Sequence, residues 1–129
     1  MPRAGDLRIL VVDDHRPMRM LVEQSLRELG CAQVLESVDG EDALRVLRQG
    51  SFHLVITDFN MPRLDGLGLL RAVRSDPALK ALAVIMLTTR AEAHLVRDAM
   101  ELRVNNYLIK PFSIATLKQK VEAVLGPLT

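Results

Sequence analysis

With 129 residues, seventeen Lys and Arg against sixteen Asp and Glu, and a net charge of +1, the chain is one domain's worth of sequence without the basic excess of a nucleic-acid or anionic-membrane binder. Apolar residues at 49% and charged residues at 26% exclude intrinsic disorder, and no apolar stretch approaches the roughly 20 residues of a membrane helix. A lone cysteine, Cys31, excludes an internal disulfide, and no secretory signal opens the chain, so the expectation is a single domain over 1–129, monomeric, in a reducing cytoplasm, with no membrane and no nucleic-acid partner.

Along the chain, strand-sized apolar runs alternate with segments of helical periodicity. The first run, Ile9 to Val12, ends on Asp13 and Asp14. Taken alone, Asp14 reads as a helix cap, because Pro17 then falls in the first turn, where its missing N–H does no harm. Met18, Leu21, Val22, Leu26 and Leu29 follow as one apolar stripe, and Gly30 is placed to let the chain leave in a left-handed conformation. Val34 and Leu35 make a second run too short to judge alone. A second helix fits 40–49, with Gly50 in the same role as Gly30. The third run, Phe52 to Ile56, leads to Asp58, Phe59 and Asn60, and a third helix fits 65–75. The fourth run, Ala83 to Leu87, leads to Thr88 and Thr89 before a helix over 91–102. The fifth, Tyr107 to Ile109, leads to Lys110 and Pro111, and a last helix carries Ile114, Leu117, Val121, Val124 and Leu125 on one stripe.

Runs that are continuous rather than alternating suit a parallel sheet covered on both faces, so five β-α repeats give an open, doubly wound α/β sheet with right-handed crossovers. Functional groups of such sheets gather beyond the carboxyl ends of the strands. That rule brings Asp13, Asp14, Asp58, Asn60, Thr88 and Lys110 to one edge. A cap needs one acid; three acids need another reason. Two carboxylates about 4 Å apart repel by about 4 kcal/mol at an effective dielectric near 20, so the cluster calls for protonation or a cation. All the donors are oxygens, which selects a hard ion that keeps water, magnesium before calcium or zinc. Lys110 facing such a cluster supplies charge for a tetrahedral phosphate, and the Thr88 hydroxyl can donate to one of its oxygens. His15, His53 and His94 share no ligand spacing, and Met18, Met61, Met86, Met100 and Cys31 read as apolar filler.

Four motifs then stand in order: Val11-Val12-Asp13-Asp14; Thr57-Asp58-Phe59-Asn60-Met61-Pro62 with Asp65-Gly66; Leu87-Thr88; and Tyr107-Leu108-Ile109-Lys110-Pro111-Phe112. Through them the chain resembles the response-regulator receiver family over essentially its whole length, and within it the stand-alone chemotaxis regulators. The resemblance implies the flavodoxin-like (βα)5 fold with strand order 2-1-3-4-5, which comes with the family. It implies that Asp58 takes a phosphoryl group from a phosphohistidine of a sensor histidine kinase. Asp14, Asp58 and the Asn60 backbone carbonyl would ligate magnesium, with Asp13 holding a metal-bound water. Lys110 would pair with the phosphoryl oxygens beside a cis Lys110-Pro111 bond, and Thr88 and Tyr107 would move together as a switch. The family's protein-binding face, here 91–102, 106–109 and 113–125, would meet a downstream target such as the flagellar motor switch. On this resemblance the chain is a signalling phosphoacceptor, not an enzyme beyond its own phosphorylation and dephosphorylation.

Three positions depart from the family pattern. Phe59 stands where the chemotaxis proteins have tryptophan. Thr89 replaces a smaller residue, with Arg90 beside it near the path of water to an acyl phosphate. Arg103 stands near the end of the fourth helix where glycine is common, and the expectation is a rebuilt turn in which Asn105 or Asn106 takes the left-handed position. Arg103 would then point from the output face toward a partner. A haloacid-dehalogenase-like phosphatase would need Asp-x-Asp after its first strand, and a flavodoxin-like cofactor binder a first loop rich in Ser, Thr and Gly. A phosphate sink for a shared kinase keeps both fold and site. No room is left for an output domain, so output is expected to be a protein contact.

Overall fold

Strands form on the apolar runs: β1 (Arg8–Val12), β2 (Gln33–Ser37), β3 (Leu54–Asp58), β4 (Ala83–Thr88) and β5 (Asn106–Ile109) in the computed structural model, which describes residues 3–129. All pairs are parallel and the order is β2-β1-β3-β4-β5, as the resemblance implied. Register explains how one edge collects the polar residues. Val12 lies opposite Thr57, Asp58 opposite Leu87, and Thr88 opposite Ile109. The next residue along each strand therefore delivers Asp13, Thr88 and Lys110 to the level of Asp58.

Alternation along β1 divides the core. Ile9 and Val11 face one side with Leu54, Ile56, Ile85 and Leu87, covered by Val22 and Leu26 of α1 (Arg16–Glu28) and by Leu117 and Val121 of α5 (Ile114–Leu125). Leu10 and Val12 face the other with Val55, Val84 and Met86, covered by α2 (Gly40–Gln49), α3 (Gly66–Ser75) and α4 (Val96–Glu101) through Leu47, Leu69, Val73 and Ala99. Each such side chain contributes about 1.5–3 kcal/mol on burial, which is why both faces of the central strands read as unbroken apolar runs.

Several expectations change. The third strand begins at Leu54 because Phe52 instead lies under the Arg8 guanidinium, 4.7 Å from its ring centroid. Gly30 has the left-handed φ of 97°, whereas Gly50 has φ −150°, extended backbone open to any residue. The helix expected over 91–102 is a 3-10 segment, Arg90–Leu95, followed by the short α4. Its first turn closes from the Glu92 N–H to the Thr89 carbonyl at 3.1 Å, a three-residue spacing that an apolar stripe does not distinguish from an α-helix.

The rebuilt turn after α4 is not what forms. Arg103 itself is left-handed, with φ 63°, and neither Asn105 nor Asn106 has a positive φ. Its N–H bonds to Met100 O at 3.0 Å and the Val104 N–H to Ala99 O at 3.0 Å, the paired bonds of a Schellman end. Asn105 is committed elsewhere: its N–H meets Val84 O at 3.0 Å and its Oδ1 accepts the Val84 N–H at 2.7 Å. The strain of a left-handed Cβ residue, about 1–2 kcal/mol, is offset by bonds to the Arg103 carbonyl from Arg74 at 3.2 and 2.8 Å.

Candidate functional site

Asp13 is 0% exposed and held on three sides. Its N–H donates to Ser37 O at 3.2 Å, its carbonyl accepts from Arg19 Nη1 at 2.9 Å, and its Oδ1 accepts the His15 N–H at 2.9 Å. Oδ2 has no hydrogen-bond partner and lies 3.6 Å from Lys110 Nζ. Asp14 is exposed and caps nothing: the N-cap of α1 is His15, without a side-chain cap bond, so the capping account of Asp14 is set aside.

Asp58 ends β3 and is 8% exposed, its Oδ1 accepting from Lys110 Nζ at 3.0 Å. Burial pushes its carboxyl above the ordinary carboxylate range, the Lys110 ammonium pulls it back, and the neighbouring Asp13 charge raises it again. One carboxylate oxygen from each of Asp13, Asp14 and Asp58 lies within 4.8 Å of the others. The Lys110 side chain is only 16% exposed, wedged between two acids, and the Lys110-Pro111 bond is cis.

A small hard cation fits this set. The donors are all oxygens, Asp13 Oδ2 is buried without a hydrogen bond, and the one ammonium at the cluster pairs with two of its three carboxylates.

Around this centre, Thr88 is buried with its hydroxyl donating to Thr89 O at 3.2 Å rather than toward Asp58. Tyr107 is half-buried, opposite Met86 on β4, with Lys120 Nζ 5.1 Å from its ring centroid. Phe59 is buried. Asn60 is exposed and its Nδ2 donates to the Glu92 carboxylate, which also accepts the Thr89 N–H at 3.0 Å and hydroxyl at 3.1 Å. Glu92 thus bridges the loops after β3 and β4. The Thr89-x-x-Glu92 spacing is the one signal in the sequence that points to it.

Other residues at the edge escape sequence reasoning. Asp39 caps α2 through the Asp42 N–H at 2.8 Å and accepts from Arg63 Nε at 2.8 Å. The Asp42 backbone bond, with help from Arg63, holds its carboxyl below the usual range. Arg63 itself is left-handed, φ 69°. The loop bearing it is packed so closely that a Cβ at Gly40 would lie 2.3 Å from Leu64 O, and one at Gly66 2.2 Å from Asp58 O. Neither glycine can be replaced without moving the loop after the phosphoacceptor candidate.

A five-stranded parallel sheet in this order, with three acids and one lysine at its carboxyl edge, defines a receiver domain. The chain belongs to the response-regulator receiver family, whose model, "Response regulator receiver domain", matches residues 9–122. Its relatives include chemotaxis regulators. It is 42% identical over 118 residues to the chemotaxis protein CheY of Pseudomonas aeruginosa, covering 92% of this chain and 95% of that one. The structure of the chemotaxis response regulator CheY4 of Vibrio cholerae superposes with a TM-score of 0.85 at 29% identity, over 92% and 98% of the two chains. The receiver domain of a sensor histidine kinase from Pseudomonas aeruginosa, with a magnesium ion coordinated in its active-site cleft, gives a TM-score of 0.85 at 28% identity, over 93% and 98%. Membership sets aside the phosphatase and flavodoxin-like readings and places the chain in two-component signalling. No helix among the described residues is long and apolar enough to cross a membrane.

Proposed function

We propose that the chain is a single-domain, cytoplasmic response regulator that accepts a phosphoryl group on Asp58 from a phosphohistidine of a sensor histidine kinase, with magnesium bound. One observation carries this reading: Lys110 Nζ sits 3.0 Å from Asp58 and 3.6 Å from an otherwise unpartnered Asp13 oxygen. Asp13, Asp14, Asp58 and the Asn60 carbonyl would hold the metal, which supplies positive charge beside the carboxylates and the phosphoryl oxygens.

An Asp58 carboxylate oxygen forms the new O–P bond as the P–N bond to the donor imidazole breaks, and the imidazole keeps the bonding electron pair and takes a proton. The Lys110 ammonium, already at the acids, pairs with a phosphoryl oxygen as charge accumulates there. The Thr88 hydroxyl, bonded to Thr89 O before phosphorylation, turns to a phosphoryl oxygen afterwards, and Tyr107 follows. The output face is α4, β5 and α5, where Met100, Ile109 and Ile114 are exposed, and its target is a protein, for which the chemotaxis relatives suggest a motor switch.

Intact mass after incubation with a small acyl phosphate tests this. Wild type should gain one phosphoryl group with magnesium and none with chelator, and Asp58→Asn should gain none. Equal labelling of all three samples would overturn it.

A further inference from the structure

The guanidinium of Arg19 ties the acidic edge to β2, and nothing in the phosphoryl chemistry above uses it. Arg19 lies in the opening turns of α1 with its side chain 13% exposed. Nη1 donates to the Asp13 carbonyl at 2.9 Å while Nε donates to Glu36 Oε1 at 2.8 Å. Glu36 precedes Ser37, whose carbonyl accepts the Asp13 N–H. The peptide units on both sides of Asp13 are therefore fixed from β2, one directly and one through Arg19. Since Oδ1 is taken by the His15 N–H, the carboxylate has one orientation left, and Oδ2, with only the Lys110 ammonium 3.6 Å away, is the atom without a hydrogen bond.

Charge alone gives no reason for an arginine here. A cation near the amino end of a helix opposes the helix dipole, α1 has no acid in its first turn, and a guanidinium beside a cation site repels the cation. Glu36 and the Glu23 carboxyl hydrogen-bonded to it supply the opposite charge, and what is left is geometry.

We propose that Arg19 is a positioning residue of the metal site: braced by Glu36, it clamps the Asp13 main chain so that Asp13 Oδ2 is presented to the cation. The proposal rests on the magnesium reading given under Proposed function. Charge and geometry predict opposite signs. If Arg19 acts by charge, its removal tightens magnesium binding; if it positions Asp13, removal weakens it.

Magnesium titration of the unphosphorylated protein, followed by the backbone amide NMR signals of Asp13, Asp14 and Asp58, reads the affinity directly. Arg19→Met should weaken binding by roughly 10–100-fold, the range for groups that orient ligands. Arg19→Lys, which keeps the charge and loses the two-pronged reach, should also weaken it, and Glu36→Gln should do so by a smaller factor. Arg48→Met is the control: Arg48 pairs with Asp76 at the far end of α2 and touches neither Asp13 nor Glu36, so its variant should bind magnesium within about twofold of wild type. Melting temperature in chelator reports the purely structural part of each change. Equal or tighter magnesium binding in Arg19→Met overturns the inference while leaving the metal reading intact. A wild type whose acidic-edge amides do not respond to magnesium overturns both. Should Arg19→Met give no folded spectrum, Glu36→Gln decides by the same criterion.

Discussion

At the amino end of β4 one guanidinium finds a hydrogen-bond acceptor for every N–H it carries, while at the carboxyl end of the same sheet a buried carboxylate oxygen has no hydrogen bond, only a long ion pair. Arg74 donates Nη1 to Lys80 O at 3.0 Å and Leu82 O at 2.6 Å. Its Nη2 meets Arg103 O at 2.8 Å and Asn105 Oδ1 at 2.9 Å, and its Nε meets Arg103 O at 3.2 Å. In the acidic edge, one ammonium serves two carboxylates, bonding Asp58 at 3.0 Å but reaching Asp13 Oδ2 only at 3.6 Å, which leaves that oxygen without a hydrogen bond. An unsatisfied buried polar atom costs about 1–3 kcal/mol, so its persistence beside a fully paired alternative marks where the fold gives up stability for a ligand. The paired cluster holds α3 to the turn before β5; the unpaired one is open to a cation and then to an anion.

The largest effect should come from dismantling the paired cluster. Arg74→Ala strands three carbonyls, while Asn105 Oδ1 keeps the Val84 N–H, and should lower stability by about 3 kcal/mol in urea denaturation, leaving magnesium binding unchanged. A loss under about 1 kcal/mol would break the contrast. Next, Lys110→Met leaves Asp13 and Asp58 facing each other without their cation and should cost about 1–2 kcal/mol in chelator, less than a fully buried pair because the side chain is not wholly enclosed. Magnesium should restore part of that loss in a melting experiment; an identical deficit with and without magnesium would show the lysine's role to be structural only.

A smaller effect separates two of the three buried aspartates of this edge, Asp39 and Asp58, by the sign of their pH dependence. Asp39, held low by the Asp42 N–H and Arg63, contributes stability above the unfolded carboxylate value that is lost as pH falls through its depressed folded value. Asp39→Asn should cost about 1 kcal/mol at neutral pH, as loss of a cap does, and converge on wild type in acid. Asp58 is raised by burial, so the folded state binds the extra proton between the unfolded carboxylate value and its raised folded value, and stability falls as pH rises through that window. Asp58→Asn, in chelator, should therefore be slightly more stable than wild type at neutral pH, the gain vanishing below about pH 4. Denaturation midpoints across pH check both, and matching signs at the two positions would erase the distinction.

Much of this was legible in the residues because parallel strands buried on both faces cannot hide. Ile9–Val12 and Ala83–Leu87 read as strands at once, and the carboxyl-edge rule then gathers Asp13, Asp14, Asp58, Thr88 and Lys110 without coordinates. β2 was faint because it is an edge strand in which only Val34 and Ser37 are buried. The 3-10 segment before α4 was missed because its spacing shares the helical stripe, and Arg103 because the bonds that pay for its left-handed backbone come from Arg74 on another element. Arg19, Arg63, and Glu92 in its bond to Asn60, act through contacts between distant segments, which no spacing along the chain encodes, whereas the Glu92 bonds to Thr89 and the Asp39 cap are local.

The most direct measurement is a crystal grown with manganese and beryllium trifluoride, the first in place of magnesium and the second in place of a phosphoryl group. The expected map has an anomalous manganese peak in contact with Asp14 and Asp58, and the trifluoride bonded to an Asp58 carboxylate oxygen with Lys110 Nζ and the Thr88 hydroxyl on its fluorines. Manganese bound elsewhere, at Asp39 and Asp42 for example, or a trifluoride absent from Asp58 in a crystal that holds the metal, would contradict the assignment of the acidic edge as the phosphoryl site.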